Sequence, residues 1–185
     1  MNKQYKIVGI VGLILLLYGL ISAIFYSNVT WYSYFAVGGT LFLGYINYAF
    51  GNRSIFKILE DNWKNVIKIY VVYLVFAIII EVIGRFWLGF WEYPSFNVVD
   101  QVIHVFLIGY PFALFFIYES FVLIRRIVKT FCLTLFLTGI ANALLHEIPN
   151  TFAWEWVYNI PYVVVFIGWF VLITIFLIVH KILRI

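Results

Sequence analysis

Six apolar runs of about 20 residues recur along this 185-residue chain, and they constrain its fold more than any other feature. A helix of about 20 apolar residues is long enough to cross a hydrocarbon core of roughly 30 Å. The chain is 65% hydrophobic and only 11% charged, whereas soluble domains average about half apolar and a quarter charged. The sequence therefore predicts that lipid is the solvent of this protein, and it leaves no room for a soluble domain.

We predict one all-α membrane domain over residues 1–185, folded as a bundle of six transmembrane helices with both termini in the cytoplasm. The spans are expected at about 6–26, 31–50, 66–88, 101–123, 127–145 and 158–179. Apolar residues at helical spacing also favour an amphipathic helix of about 54–64 that lies in the interface. Pro111 predicts a kink in the fourth span, because proline lacks a backbone donor.

The charged residues separate between the two ends of this bundle. Cytoplasmic segments hold the excess of Lys and Arg, and the six-span topology places only Arg85, of twelve basic residues, toward the outside. The acidic residues near the outer ends are Glu81, Glu92, Asp100, Glu147 and Glu155. This separation explains the basic net charge, so no nucleic-acid partner is predicted. We expect a multi-pass protein of a cell membrane, namely a prokaryotic plasma membrane, surrounded by membrane lipids.

Ionisable side chains lie where the third, fourth and fifth spans reach the outer side. Charge in or beside a span is costly, so it marks a site or a structural pairing. The candidate catalytic residues are Glu81, His104 and His146, because a histidine near a carboxylate can move protons near neutral pH. The residues expected to bind substrate are Arg85, Trp91, Tyr93, Asp100, Asn142, Glu147, Asn150 and Glu119.

Other interpretations of these polar residues stay open. Glu81 has Arg85 four residues away and the two can form a structural pair, while the loop acids can be hydrated surface residues. Glu119 lies near the inner boundary, where Arg125 or Arg126 is expected to neutralise it. The histidines follow no HExxH or comparable spacing, so we predict neither a metal site nor a cofactor.

The middle of the chain resembles the lycopene cyclase domain of membrane carotenoid enzymes. The similar stretches are Glu81-Val82-Ile83-Gly84, Gly89-Phe90-Trp91-Glu92-Tyr93 and Gly109-Tyr110-Pro111, with Phe115-Phe116 after them. In that family a proline is followed closely by paired carboxylates that handle the proton of an isoprenoid cyclisation. Here Phe112-Ala113-Leu114 follows Pro111, and the nearest acid is Glu119. The resemblance implies an isoprenoid substrate in a helical membrane domain.

Three classes of function fit these observations. The first is a membrane enzyme or binding protein with an outward-facing polar pocket, which uses acid/base residues on a lipid or isoprenoid. The second is a small transporter or channel, in which the polar side chains line a route and two copies of the chain form a homo-oligomer. The third is a structural or accessory membrane subunit without catalysis. A polar set confined to the outer half of the spans favours the first class.

Overall fold

The computed structural model describes residues 3–150, 153–158 and 160–182, and most of them are helical. The helices are α1 Lys3–Tyr26, α2 Trp31–Ala49, α3 Ile55–Trp87, α4 Val98–Ile127, α5 Phe131–Glu147 and α6 Tyr162–Ile182. Each helix runs antiparallel to the one before it. The connections after α1, α3 and α5 therefore meet at one end of the bundle, which we call the loop end.

Four of these helices, α1, α3, α4 and α6, are long and apolar enough to cross a membrane. Large apolar side chains cover the outside of the bundle; Phe25, Trp87 and Tyr162 are 73%, 79% and 78% exposed. A surface of this kind is consistent with a membrane protein, because hydrocarbon covers it without the cost of contact with water. Helices α2 and α5 fall outside this group of four, so the six-span topology stays a prediction.

Helix α2 lies at the centre of the bundle and packs on α1 and α4. Glycines bring the α1 and α2 backbones together: a Cβ added at Gly38 would lie 2.2 Å from the Leu16 amide nitrogen. Toward α4, the Thr40 hydroxyl donates to the Phe112 carbonyl at 2.8 Å. Small residues permit such close approach of membrane helices. The central position explains the modest hydropathy of α2, because protein rather than lipid covers it.

Two irregularities divide the long helices α3 and α4. Asn62 has extended backbone angles (φ −167°, ψ 108°) and separates residues 55–61 from the rest of α3. This short segment corresponds to the predicted amphipathic helix, but its buried Ile55 and Phe56 pack in the protein core. In α4, Gln101–Gly109 forms a π-helix and Pro111 lies in the first turn of the α-helix after it. The proline therefore stands at a change of helix type.

The two aromatic loops at the loop end pair with each other, which the sequence did not predict. Strand β1, Trp91–Glu92, lies antiparallel to β2, Glu155–Trp156, with Trp91 opposite Trp156. The ribbon binds the α3–α4 connection to the α5–α6 connection. Helix α6 consequently begins at Tyr162, after Pro161, rather than at the expected residue 158.

The close α1–α2 contact gives a test of this packing. Gly38→Ala places a methyl group against backbone atoms, and overpacking of this kind costs about 1–3 kcal/mol. Gly168→Ala is the matched control, because an added Cβ there meets nothing within 4 Å. We expect thermal unfolding of the detergent-solubilised protein to show a lower melting temperature for Gly38→Ala only. Equal melting temperatures for the two variants would contradict the close α1–α2 contact.

Candidate functional site

A cavity of about 540 Å³ lies at the loop end, bounded by α2, α3, α4, α6, the end of α5 and the two aromatic loops. Its volume falls within the range of small-molecule sites. Ten aromatic residues line it: Tyr32, Phe90, Trp91, Tyr93, Phe96, Tyr110, Trp154, Trp156, Tyr158 and Trp169. The polar residues of the wall include Ser33, His104 and Glu147. The expected polar pocket is thus a mainly aromatic cavity, with several of the predicted polar residues behind its wall.

Glu81 lies directly behind the cavity wall and is 1% exposed. Its Oε1 accepts hydrogen bonds from Trp91 Nε1 at 3.0 Å, from the Tyr93 hydroxyl at 2.6 Å and from the Tyr110 hydroxyl. The Arg85 guanidinium lies 4.0 Å from the other oxygen, Oε2. Three donors and a nearby cation stabilise a carboxylate that burial would otherwise destabilise. All three donor residues also line the cavity.

Gly84 makes room for this arrangement. A Cβ added at Gly84 would lie 1.9 Å from Cη2 of Trp91, so the indole packs directly on the helix backbone one turn beyond Glu81. The segment Val82–Trp87 is a π-helix, a form that often occurs at functional sites. The position of Trp91 therefore depends on a glycine at residue 84.

Tyr93 belongs to the α3–α4 connection and also contacts Tyr110 and Arg85. Its hydroxyl lies 3.0 Å from that of Tyr110, and Arg85 lies over its ring at 4.9 Å from the ring centre. Burial, followed by the charge of Glu81, raises the pKa of the Tyr93 phenol well above its usual value. The phenol therefore stays protonated at neutral pH and remains a hydrogen-bond donor to the carboxylate.

His104 reaches the cavity from α4 and interacts with Ser33 of α2. Its Nδ1 lies 3.0 Å from Ser33 Oγ, and the same hydroxyl donates to the His104 carbonyl at 3.0 Å. Because the serine has a single hydrogen, Nδ1–H is the donor between the two side chains when the carbonyl is bound. In the neutral imidazole this tautomer leaves a lone pair on Nε2, as a general base requires.

His146 is completely buried in α5 and does not line the cavity. Its Nδ1 lies 2.7 Å from the hydroxyl of Tyr32, a residue that does line it. The Trp169 ring lies 4.7 Å from the imidazole, centre to centre. Glu81, His104 and His146 thus surround one cavity without touching each other, and only His104 among them is in the wall.

Glu147, the last residue of α5, is part of the cavity wall. Its Oε1 accepts a hydrogen bond from Trp169 Nε1 at 2.8 Å, and Oε2 accepts one from Trp156 Nε1 at 3.3 Å. The carboxylate consequently joins α5, α6 and the β-ribbon. Like Glu81, it is bonded through aromatic residues of the cavity wall.

Five of the eight residues predicted to bind substrate lie outside the cavity wall. Asp100 accepts a hydrogen bond from Asn97 Nδ2 at 2.6 Å in the first turn of α4. Asn150 shares two hydrogen bonds with the Trp154 backbone, at 3.1 and 3.2 Å, and so supports a loop that lines the cavity. Arg85 approaches Glu81 and Tyr93, as described above.

Asn142, the fourth of these residues, is buried between α4 and α5. Its side-chain amide donates to Ser120 Oγ at 3.1 Å and to the Thr138 carbonyl at 2.8 Å. Both partners are interior groups of the two helices. The contacts describe a residue that joins α4 to α5.

Glu119 lies at the opposite end of the bundle, and the expectation that Arg125 or Arg126 neutralises it is wrong. Its Oε1 accepts from the Ile55 backbone N–H at 2.6 Å, and its Oε2 accepts from Asn47 Nδ2 at 2.7 Å. Arg126 instead donates to the Phe50 carbonyl at 2.7 Å. The start of α3 supplies backbone donors and a favourable dipole, so the carboxylate needs no basic side chain.

Sequence reasoning missed several residues of the cavity wall. Tyr32 and Ser33 stand at the start of α2, where nothing in the sequence separates them from ordinary interfacial residues. Trp169 did carry a signal, because it lies two turns inside an apolar helix, whereas tryptophan prefers the membrane interface. The indole N–H of a tryptophan at that depth needs an acceptor, and Glu147 is that acceptor.

The described residues include no group of three or more His, Cys, Asp or Glu side chains placed to hold a metal ion. No protein-family model, curated protein sequence or solved structure matches this chain. The resemblance to the lycopene cyclase domain accordingly stays a prediction.

The cluster around Glu81 gives a second test. Tyr93→Phe removes one hydrogen bond to a buried carboxylate, a loss of about 1.5–3 kcal/mol. Tyr158→Phe is the control, because Tyr158 also lines the cavity but is 56% exposed, and exposed substitutions stay within about 0.5 kcal/mol. We expect chemical or thermal unfolding to show a loss of stability for Tyr93→Phe alone. Equal stability of both variants would show that Tyr93 does not support Glu81.

Proposed function

We propose that this chain is a six-span membrane protein that binds, and acts by proton transfer on, a lipid- or isoprenoid-type molecule. The cavity at the loop end carries the proposal, because an aromatic wall suits a hydrocarbon ligand and the residues in and behind it can exchange protons. With both termini in the cytoplasm, this cavity lies at the level of the outer leaflet. A ligand enters it from the surrounding lipid.

The arrangement of donors suggests how a proton would move. Tyr93 and Tyr110 line the cavity, and each donates to Glu81 behind them. A phenol that accepts a proton from the substrate can pass its own proton to the Glu81 carboxylate, which leaves the phenol unchanged. Glu81 then acts as a base through the tyrosines. His104, with Nδ1 bound to Ser33, is a base that reaches the substrate directly.

The stretches that resemble lycopene cyclases support an isoprenoid as one substrate. They supply Glu81, Trp91, Tyr93 and Tyr110, which lie far apart in sequence and form one cluster in the structure. A catalytic role for the cluster requires only that the substrate reach the phenols. The family's paired carboxylates after Pro111 have no counterpart here, so Glu81 is the acid that we assign.

The contacts beneath the cavity favour a closed binding site rather than a transport route. There Tyr73 of α3 packs against Phe115 of α4 and Phe176 of α6, with ring centres 4.7 and 5.0 Å apart. All three side chains are buried. A transporter or channel would have to separate these rings to open a path between the cavity and Glu119.

The topology can be tested by labelling intact cells. In a protein in which Cys132 is replaced by alanine, Glu155→Cys lies at the proposed outer side and Lys57→Cys at the inner side. A membrane-impermeant maleimide should modify the cysteine at 155 in intact cells and the cysteine at 57 only after lysis. The opposite pattern would invert the bundle, and labelling of both before lysis would contradict the six-span topology.

The binding function can be tested with cavity-filling variants. Gly168 lines the cavity, and an added Cβ there meets nothing within 4 Å, so Gly168→Phe fills the space without displacing backbone. We expect native mass spectrometry to show lipid or isoprenoid retained by the wild type and by Gly168→Ala. Retention by Gly168→Phe should fall by about tenfold, equivalent to 1.4 kcal/mol. Undiminished retention by a folded Gly168→Phe protein would place the ligand elsewhere.

A further inference from the structure

Within the described part of the chain no cationic side chain pairs with the Glu147 carboxylate, which distinguishes it from Glu81. Among the described residues, ion pairs within 4.0 Å join Lys57 to Glu60 and Asp61, and Arg85 to Glu81. The cavity-lining residues that the structure describes contain neither Lys nor Arg. A carboxylate removed from water is costly when no cation is near it. The cavity is therefore complementary to a positively charged ligand.

The hydrogen bonds of Glu147 favour its ionised form. Both of its partners, Trp156 Nε1 and Trp169 Nε1, are indole groups that can only donate. Donors to a carboxylate stabilise the charged state over the neutral one. Burial acts in the opposite direction and raises the pKa of the Glu147 carboxyl, so a cation beside this carboxylate would offset the cost of its burial. Each carboxylate oxygen already accepts one hydrogen bond.

The aromatic rings of the wall favour one kind of cation. Four tryptophans and four tyrosines line the cavity, and tryptophan is the best ring for cation–π attraction, which is also how quaternary ammonium ligands are recognised. A primary ammonium group needs up to three acceptors, and the main acceptor here, Glu147, is already bonded to two indoles. A quaternary ammonium group needs none. The wall therefore suits an alkylated ammonium better than an amine.

The shape of the cavity adds an apolar chain to this cation. Helix α6 lines the cavity with Val164, Val165, Gly168 and Leu172. Val164 and Leu172 are eight positions apart, which is about 12 Å along a helix. Ile80 of α3 also lines the cavity. A hydrocarbon chain attached to the cation would follow this aliphatic face toward the middle of the bundle.

We propose that the cavity takes an amphiphile with a quaternary ammonium group, whose charge lies near Glu147 among the aromatic rings and whose chain follows α6. The inference rests on the proposed lipid-binding function and names the headgroup chemistry of its ligand. Trimethylammonium lipids, with or without a phosphate, are the chemical class in question.

The test compares headgroups on the same pair of oleoyl chains. Delipidated wild-type protein in detergent is titrated, by native mass spectrometry, with a trimethylammonium-propane lipid, phosphatidylcholine, diacylglycerol and phosphatidylglycerol. We expect both trimethylammonium lipids to bind about tenfold more tightly than diacylglycerol, a difference of 1.4 kcal/mol. Free choline, which lacks the chain, should bind at least as weakly as diacylglycerol. Tighter binding of choline would overturn the amphiphile part of the proposal.

Two variants test whether Glu147 causes the preference for trimethylammonium lipids over diacylglycerol. Glu147→Gln removes the charge, so its trimethylammonium preference should fall to within about twofold of unity. Glu155→Gln is the matched control, because Glu155 is an exposed carboxylate at the same loop end and does not line the cavity. This variant should keep the preference. A Glu147→Gln protein that keeps the full preference would overturn the role of Glu147. Melting temperatures confirm that both variants are folded.

The outcomes separate this inference from the function on which it rests. Equal binding of all four lipids to the wild type would overturn the ammonium headgroup and leave lipid binding intact. Binding of none of the four would overturn the lipid-binding function itself. The wild-type comparison decides the headgroup even if a variant fails to fold.

Discussion

A carboxylate buried inside a bundle with an apolar exterior must receive its hydrogen bonds from the protein, and this requirement organises the structure. Three acids show it. Glu81 accepts from the α3–α4 connection and from α4, Glu119 accepts from α2 and the start of α3, and Glu147 accepts from α6 and the β-ribbon. Each acid therefore holds together elements that are distant in sequence. Loss of any one would leave its donors without an acceptor.

The same requirement builds the cavity. The groups that satisfy Glu81 and Glu147 are indoles and phenols, namely Trp91, Tyr93, Tyr110, Trp156 and Trp169, and all of them line the cavity. One end of each aromatic residue binds a carboxylate while its ring faces apolar surroundings, the amphipathic behaviour that suits a membrane boundary. Support of the fold and the proposed recognition of a ligand thus depend on the same side chains. Glu81 lies behind the wall of the apolar cavity, and Glu147 lies in the wall itself.

The sequence predicted the order and approximate bounds of the helices, because apolar length is a strong signal; α1 ends at Tyr26 and α2 begins at Trp31, as expected. It also located the polar residues at the loop end. It could not show that aromatic rings separate them, since pairings such as Tyr32 with His146 span 114 residues. The expected partner of Glu119 was wrong for a related reason. Its partner at the start of α3 is a backbone N–H, which nearly every residue type has, so the sequence does not mark it.

The proposed function depends on an apolar cavity at the loop end that holds an amphiphile beside a carboxylate. An experimental structure of the wild-type protein in a lipid bilayer tests this most directly. We expect elongated density in the cavity, with its head near Glu147 and its chain beside Gly168. A cavity closed by inward movement of Trp154 or Trp169, with lipid bound only on the outer surface of the bundle, would contradict it.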